Sequence, residues 1–160
     1  MRKLKGITIA ETLIYLALFG IIFISIVEFF ITMRDNNRIT LEKINLEKTT
    51  IYLTNHISDG FKNSLGIDEG NSIFSVDAGK IRILKTGKYV EYSLQNNSLI
   101  YSDNGTNLII LDPDYKVTRF FLEKILDDKN VLQGIRLEMT IVSIKNANDS
   151  KSIQTSYILK

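Results

Sequence analysis

Hydrophobic positions are spread unevenly along the chain, and their spacing changes twice. From Ile7 to Met33 they run almost unbroken: Thr12 to Val27 carries no charge, and only Glu11 and Glu28 interrupt the segment. A helix over this stretch would be roughly 40 Å long, more than the roughly 30 Å of a bilayer's hydrocarbon core. From Ile39 to about Ile57 the pattern becomes one-sided. Leu46, Leu53 and Ile57 mark an apolar face that Phe61 continues, Ile44 and Ile51 read as widening it, and Glu42, Lys43, Glu47 and Lys48 mostly point away. No proline interrupts Ile7 to His56. One helix of roughly 75 Å is predicted, an apolar half followed by an amphipathic half.

Beyond the glycines at 60, 66 and 70 the period shortens to two, and Asp68-Glu69-Gly70-Asn71 reads as a turn. Strands are predicted over Ile73–Val76, Lys80–Lys85, Tyr89–Gln95, Leu99–Ser102, Leu108–Leu111, Val117–Ile125, Ile135–Ile144 and Ile153–Leu159. Ile135, Leu137, Met139 and Ile141 alternate with Arg136, Glu138 and Thr140, and Val90, Tyr92 and Leu94 alternate with Glu91 and Ser93. Thr86-Gly87, Asn96-Asn97 and Asp103-Asn104-Gly105 are predicted hairpin turns. Such alternation implies an antiparallel sheet covered on one face, and the amphipathic helix is its natural cover. The expected fold is therefore α+β, a long N-terminal helix packed on an antiparallel sheet. Four segments follow: 1–6, 7–33, 34–62 and 63–160.

Composition narrows the chemistry. The 160 residues hold 20 Lys plus Arg and 18 Asp plus Glu, a net charge of +2, too small for nucleic acid to be the main partner. There is no cysteine and one histidine. Disulfide scaffolds, thiolate metal sites and cysteine nucleophiles are excluded, and an enzyme is not expected. No cofactor or metal site is expected either. His56, Ser58 and Asp59 crowd one helix end, where they cannot line up as nucleophile, base and orienter. Asp112-Pro113-Asp114, Asp127-Asp128 and Asp103-Asn104-Gly105-Thr106-Asn107 carry carboxylates but lack the spaced ligand series of a calcium loop, so turns are expected. Lys80, Arg82, Lys85 and Lys88 form a modest basic cluster, read first as a solvated face and second as a DNA contact.

The N-terminus carries the sharpest signal. Arg2, Lys3 and Lys5 precede the apolar segment, which by the positive-inside rule leaves the N-terminus in the cytoplasm and the rest of the chain outside. The run is long for a signal peptide, and no small-x-small cleavage site follows it. Glu11 is costly within lipid, so it calls for a functional reason. It could favour the helix N-terminus. Glu28, about 100° around the helix from Glu11, reads as a carboxylate at the outer membrane boundary reaching water or Arg34.

Lys5-Gly6, then Ile7-Thr8-Ile9-Ala10-Glu11-Thr12-Leu13, then an apolar helix, resembles the leader and N-terminal segment of type IV prepilins and pseudopilins. The resemblance implies cleavage between Gly6 and Ile7 by prepilin peptidase and methylation of the new amine. It also implies assembly in which Glu11 faces the terminal amine of a neighbouring subunit; after such cleavage Glu11 could instead pair with its own Ile7 amine at i,i+4 spacing. The layout from Lys88 through Tyr101, then Val117-Thr118-Arg119-Phe120-Phe121-Leu122, then a long strand and a final one, is similar to J-type minor pseudopilins and related minor pilins. The implied partners are other pilin or pseudopilin subunits, prepilin peptidase, the inner-membrane assembly platform and the lipid bilayer. The implied destination is the cytoplasmic membrane and then an extracytoplasmic filament or its tip, serving a type IV pilus, type II secretion or DNA uptake. The alternative is a single-pass anchored binding or sensor domain that is never assembled.

Overall fold

The computed structural model describes residues 8–159. The chain is α+β; the described residues form one α-helix, α1 (Ile9–Phe61), a single 3-10 turn at Glu69–Asn71 and eight strands. It divides into two compact units, Met1–Glu42 and Lys43–Lys160.

In the first unit α1 turns its apolar side chains outward on every side. Leu13, Leu16, Phe19, Phe23 and Phe30 are all more than half exposed. A helix that is apolar all round has no polar face to give water. It is long and apolar enough to cross a membrane.

In the second unit α1 buries Leu46, Thr50, Leu53, Ile57 and Gly60, a row spaced four, three, four and three residues apart. Thr50 is tolerated there because its hydroxyl donates to the Leu46 carbonyl at 2.7 Å. Ile44 and Ile51 do not widen this stripe. At about 100° per residue they fall roughly 160° and 140° from Leu46, on the far side of the helix, where both are exposed. The helix stops where Asn63 takes a left-handed φ of 57°.

The strands form two antiparallel sheets where one was expected. The first has five, in the order β1 (Gly66–Ile67), β2 (Lys80–Lys85), β3 (Lys88–Gln95), β4 (Ser98–Asp103), β5 (Thr106–Ile109). The second has β6 (Tyr115–Leu126), β7 (Leu132–Ser143) and β8 (Ser150–Ile158). The division arises because another segment occupies the edge of β6. Gly79 N donates to Phe120 O at 2.8 Å, Phe120 N to Asp77 O at 2.7 Å, and Ser75 N to Leu122 O at 2.8 Å. Of the predicted strand Ile73–Val76, Ser75 joins this crossing and Ile73 forms a single bridge to Lys80. Gly79 permits the approach, since a Cβ there would lie 2.6 Å from the Phe120 carbonyl oxygen.

The hairpin turns fall where the sequence puts them. Asn96 and Asn97 both have positive φ, as do Asn104 and Gly105. Two such residues in succession make the tight turn whose twist matches that of the flanking strands. Alternation in β7 also holds: Ile135, Leu137, Met139 and Ile141 are almost wholly buried. With Ile81, Ile83, Val90, Tyr92, Leu99, Phe120 and Leu122 they form one core with the Leu46–Ile57 row of α1.

Candidate functional site

Arg2, Lys3, Lys5, Gly6 and Ile7 lie outside the described residues, so the expected cleavage point and leader charges are carried by sequence alone. Glu11 is described, and its geometry is specific. Its Oε2 accepts from Thr8 N at 2.8 Å and from Thr8 Oγ1 at 3.1 Å, while Glu11 N donates to Thr8 Oγ1 at 3.3 Å. This is a reciprocal capping box, with Thr8 as N-cap and Glu11 three residues on. Backbone N–H groups at a helix start have no partner within the helix, and in lipid they would find no water either. Of the roles open to Glu11, the helix N-terminus is the one seen within this chain. The Thr-x-x-Glu spacing was a readable signal for it.

Glu28 lies on α1 beyond the uncharged stretch and is exposed. It makes no salt bridge among the described residues, Arg34 included.

In the outer unit the expected turn carboxylates are held by local partners. Asp127 accepts from the N–H groups of Lys129 and Val131, both at 2.8 Å, and these bonds hold its carboxyl below the usual range. Asp112 accepts from Asp114 N at 2.9 Å, and Asp114 pairs with Lys145. Asp103 pairs with Lys88 at 2.8 Å. No cluster of three or more potential metal ligands occurs among the described residues.

The basic cluster has partners throughout. Arg82 meets Glu91 at 2.9 Å and lies over the Tyr89 ring, and Lys80 is 3.6 Å from the same Glu91. Lys88 is held by Asp103, and Lys85 donates to the Asp59 carbonyl at 3.2 Å. All four cations are engaged within the sheet surface, by a carboxylate or a carbonyl.

His56, Ser58 and Asp59 do not converge. The Asp59 carboxylate takes the Lys62 ammonium at 2.6 Å. His56 turns its Nδ1 to Tyr92 Oη at 3.1 Å, and Tyr92 Oη donates to the His56 carbonyl at 2.8 Å. The single phenolic proton is used on the carbonyl, so the imidazole is the donor at Nδ1. Burial pushes the His56 pKa down, against the attraction of Asp59, and pushes Tyr92 up. This lock between helix and sheet had no sequence motif to announce it. His56 and Asp59 are thus held by different partners. Comparison with family models, curated proteins and solved structures finds no match to this chain.

Proposed function

We propose that this chain is a minor pilin or pseudopilin. It is a non-enzymatic subunit made as a membrane-inserted precursor, cleaved between Gly6 and Ile7, and assembled through Glu11 and the apolar helix. The observation that carries the proposal is the double use of α1. One uninterrupted helix supplies both the lipid-compatible segment and the Leu46–Gly60 row that closes the outer core. A separately anchored sensor has no need to make its anchor and its core from one element. Glu11 in the first turn of that helix adds a carboxylate at the position where the resemblance expects a partner's amine. The basic leader orients the N-terminus inward and the domain outward.

The mature N-terminus decides the matter. With a prepilin peptidase present, mass spectrometry should find a chain beginning at Ile7. Gly6→Leu should abolish that species, because a branched side chain obstructs backbone approach by the protease. A chain that keeps its first six residues under these conditions would be the anchored domain instead.

A further inference from the structure

Two strand edges of the outer unit are open, and they complement one another. At the ends of the β7–β8 ladder, Ser143 N donates to Asp149 O and Leu159 N to Gln133 O. The register between them is unbroken, so odd-numbered residues of β8 bond inward to β7. Ser150, Ser152, Gln154, Ser156 and Ile158 therefore turn their N–H and C=O groups to the open side. On β5, Ile110 N donates to Leu99 O, so Asn107 and Ile109 face outward in the same way. A nine-residue edge with no proline and no bulge, four of whose five outward-bonding residues are Ser or Gln, has little to keep another strand away.

Strand direction selects the mate. β8 runs alongside α1 in the same sense, because Lys151 reaches Glu47 and Tyr157 stacks on Phe61. β6 shares that sense through β7, and the parallel bridge from Ala78 to Phe120 gives it to β2. Successive antiparallel pairings then make β5 run the opposite way. In two outer units related by translation, the α1 segments point alike. Between them β8 meets β5 antiparallel, whereas β8 meets β8 only in parallel. The faces agree as well. Outward-bonding residues of β8 have side chains away from α1, since Tyr157 and Lys151 face it. Those of β5 likewise point away, since Leu108 pairs with Tyr101, whose ring meets His56.

Leu108 of β5 is also left exposed, on the side of its sheet that faces α1. We propose that the β8 edge of one copy receives the β5 edge of the next, forming a heterologous, repeating sheet contact between subunits. It rests on the shared membrane anchoring proposed above. Because the two edges differ, it propagates and does not close as a pair.

The chain has no cysteine, so introduced thiols report cleanly. Asn107→Cys is combined in the full-length, membrane-embedded chain with Ser152→Cys, Gln154→Cys or Ser156→Cys, and short thiol cross-linking is applied. Directly opposed residues have Cβ atoms about 4.5–5.5 Å apart, so one register should give a ladder of oligomers roughly tenfold above either single variant. Gln154→Pro removes an outward N–H and no β7 bond, so it should abolish the ladder at unchanged melting temperature. Ser152→Pro replaces it if that substitution destabilises the fold. No ladder in any register, a dimer from Gln154→Cys alone, or a ladder that survives the proline would each overturn the contact. Processing at Gly6/Ile7, read on the same samples, separates this failure from that of the functional proposal.

Discussion

Gly60→Ala tests whether Tyr92 is pinned between helix and sheet. A Cβ at position 60 would lie 2.6 Å from Tyr92 Oη, 2.9 Å from Cε2 and 3.1 Å from Cζ, against about 3.4 Å for ordinary contact. The ring must withdraw by about 0.8 Å at its tip. It has little room, being almost wholly buried and flanked by the His56 and Tyr101 rings. Withdrawal also lengthens the 2.8 Å bond to the His56 carbonyl. Overpacking of this kind costs about 1–3 kcal/mol, and weakening the hydrogen bond adds up to about 1 kcal/mol. Alanine's better helix propensity returns at most about 1 kcal/mol, and less here because α1 ends at Phe61. The net expectation is a loss of about 1–3 kcal/mol, which lowers the melting temperature by on the order of 5–10 °C for a domain this size. Urea and thermal unfolding of the full chain in detergent would measure it. In a Tyr92→Phe background the closest contact is gone, so the cost of Gly60→Ala should fall by about 0.5 kcal/mol or more. An unchanged or raised melting temperature, or strict additivity of the two changes, would refute the reasoning.

Other outcomes follow from the same geometry. Leu53→Ala, at a wholly buried site, should cost about 2–5 kcal/mol by urea unfolding, whereas exposed Ile51→Ala should stay within about 0.5 kcal/mol. Because burial holds His56 below its ordinary pKa, the unfolded chain takes up that proton first. Stability should be full above about pH 6.5 and decline as pH falls through the folded value. Urea midpoints at pH 7.5 and 5.5 should show this decline in the native chain and lose it in His56→Gln. A fragment from Arg34 to Lys160 should be monodisperse by size exclusion. Removing Ile39 to Ile57 from it should cause aggregation by uncovering the core face of both sheets.

Much of the fold was legible because it depends on local rules. Asn-Asn and Asn-Gly specify tight turns through positive φ, and β2 occupies the residues its pattern predicted. The divided sheet was not legible. Ile73-Phe74-Ser75-Val76 has strand composition, but its role depends on Gly79 meeting β6 some forty residues later, which local periodicity cannot report. Ile44 and Ile51 misled for a different reason. Their apolar character is real, but they are exposed on the opposite face of the helix. The lysines and arginine of β2 and β3 suggested a patch only while Glu91, Asp68 and Asp103 were not known to stand beside them. At the N-terminus the motif itself was visible, but which of Glu11's several partners it meets required geometry.

That geometry changes how an assembly role for Glu11 must be weighed. A carboxylate with no partner in lipid would gain its whole stabilisation from a neighbour's amine. Here Thr8 already supplies two hydrogen bonds, so any intermolecular pairing is an exchange whose driving force is a difference. On the proposed reading, Glu11→Ala should leave membrane insertion intact and lower incorporation into sheared filaments. Thr8→Val should act differently. It removes the hydroxyl that accepts from Glu11 N and donates to Oε2 while leaving the carboxylate in place. The helix start loses about 1 kcal/mol of capping, and Glu11 becomes freer to meet another cation. If the cap competes with assembly, Thr8→Val filaments should hold at least as much subunit as wild type. If the cap instead positions Glu11 for its neighbour, incorporation should fall with Thr8→Val as it does with Glu11→Ala. Equal incorporation in wild type and Glu11→Ala would remove Glu11 from assembly altogether and leave the capping box as its whole role.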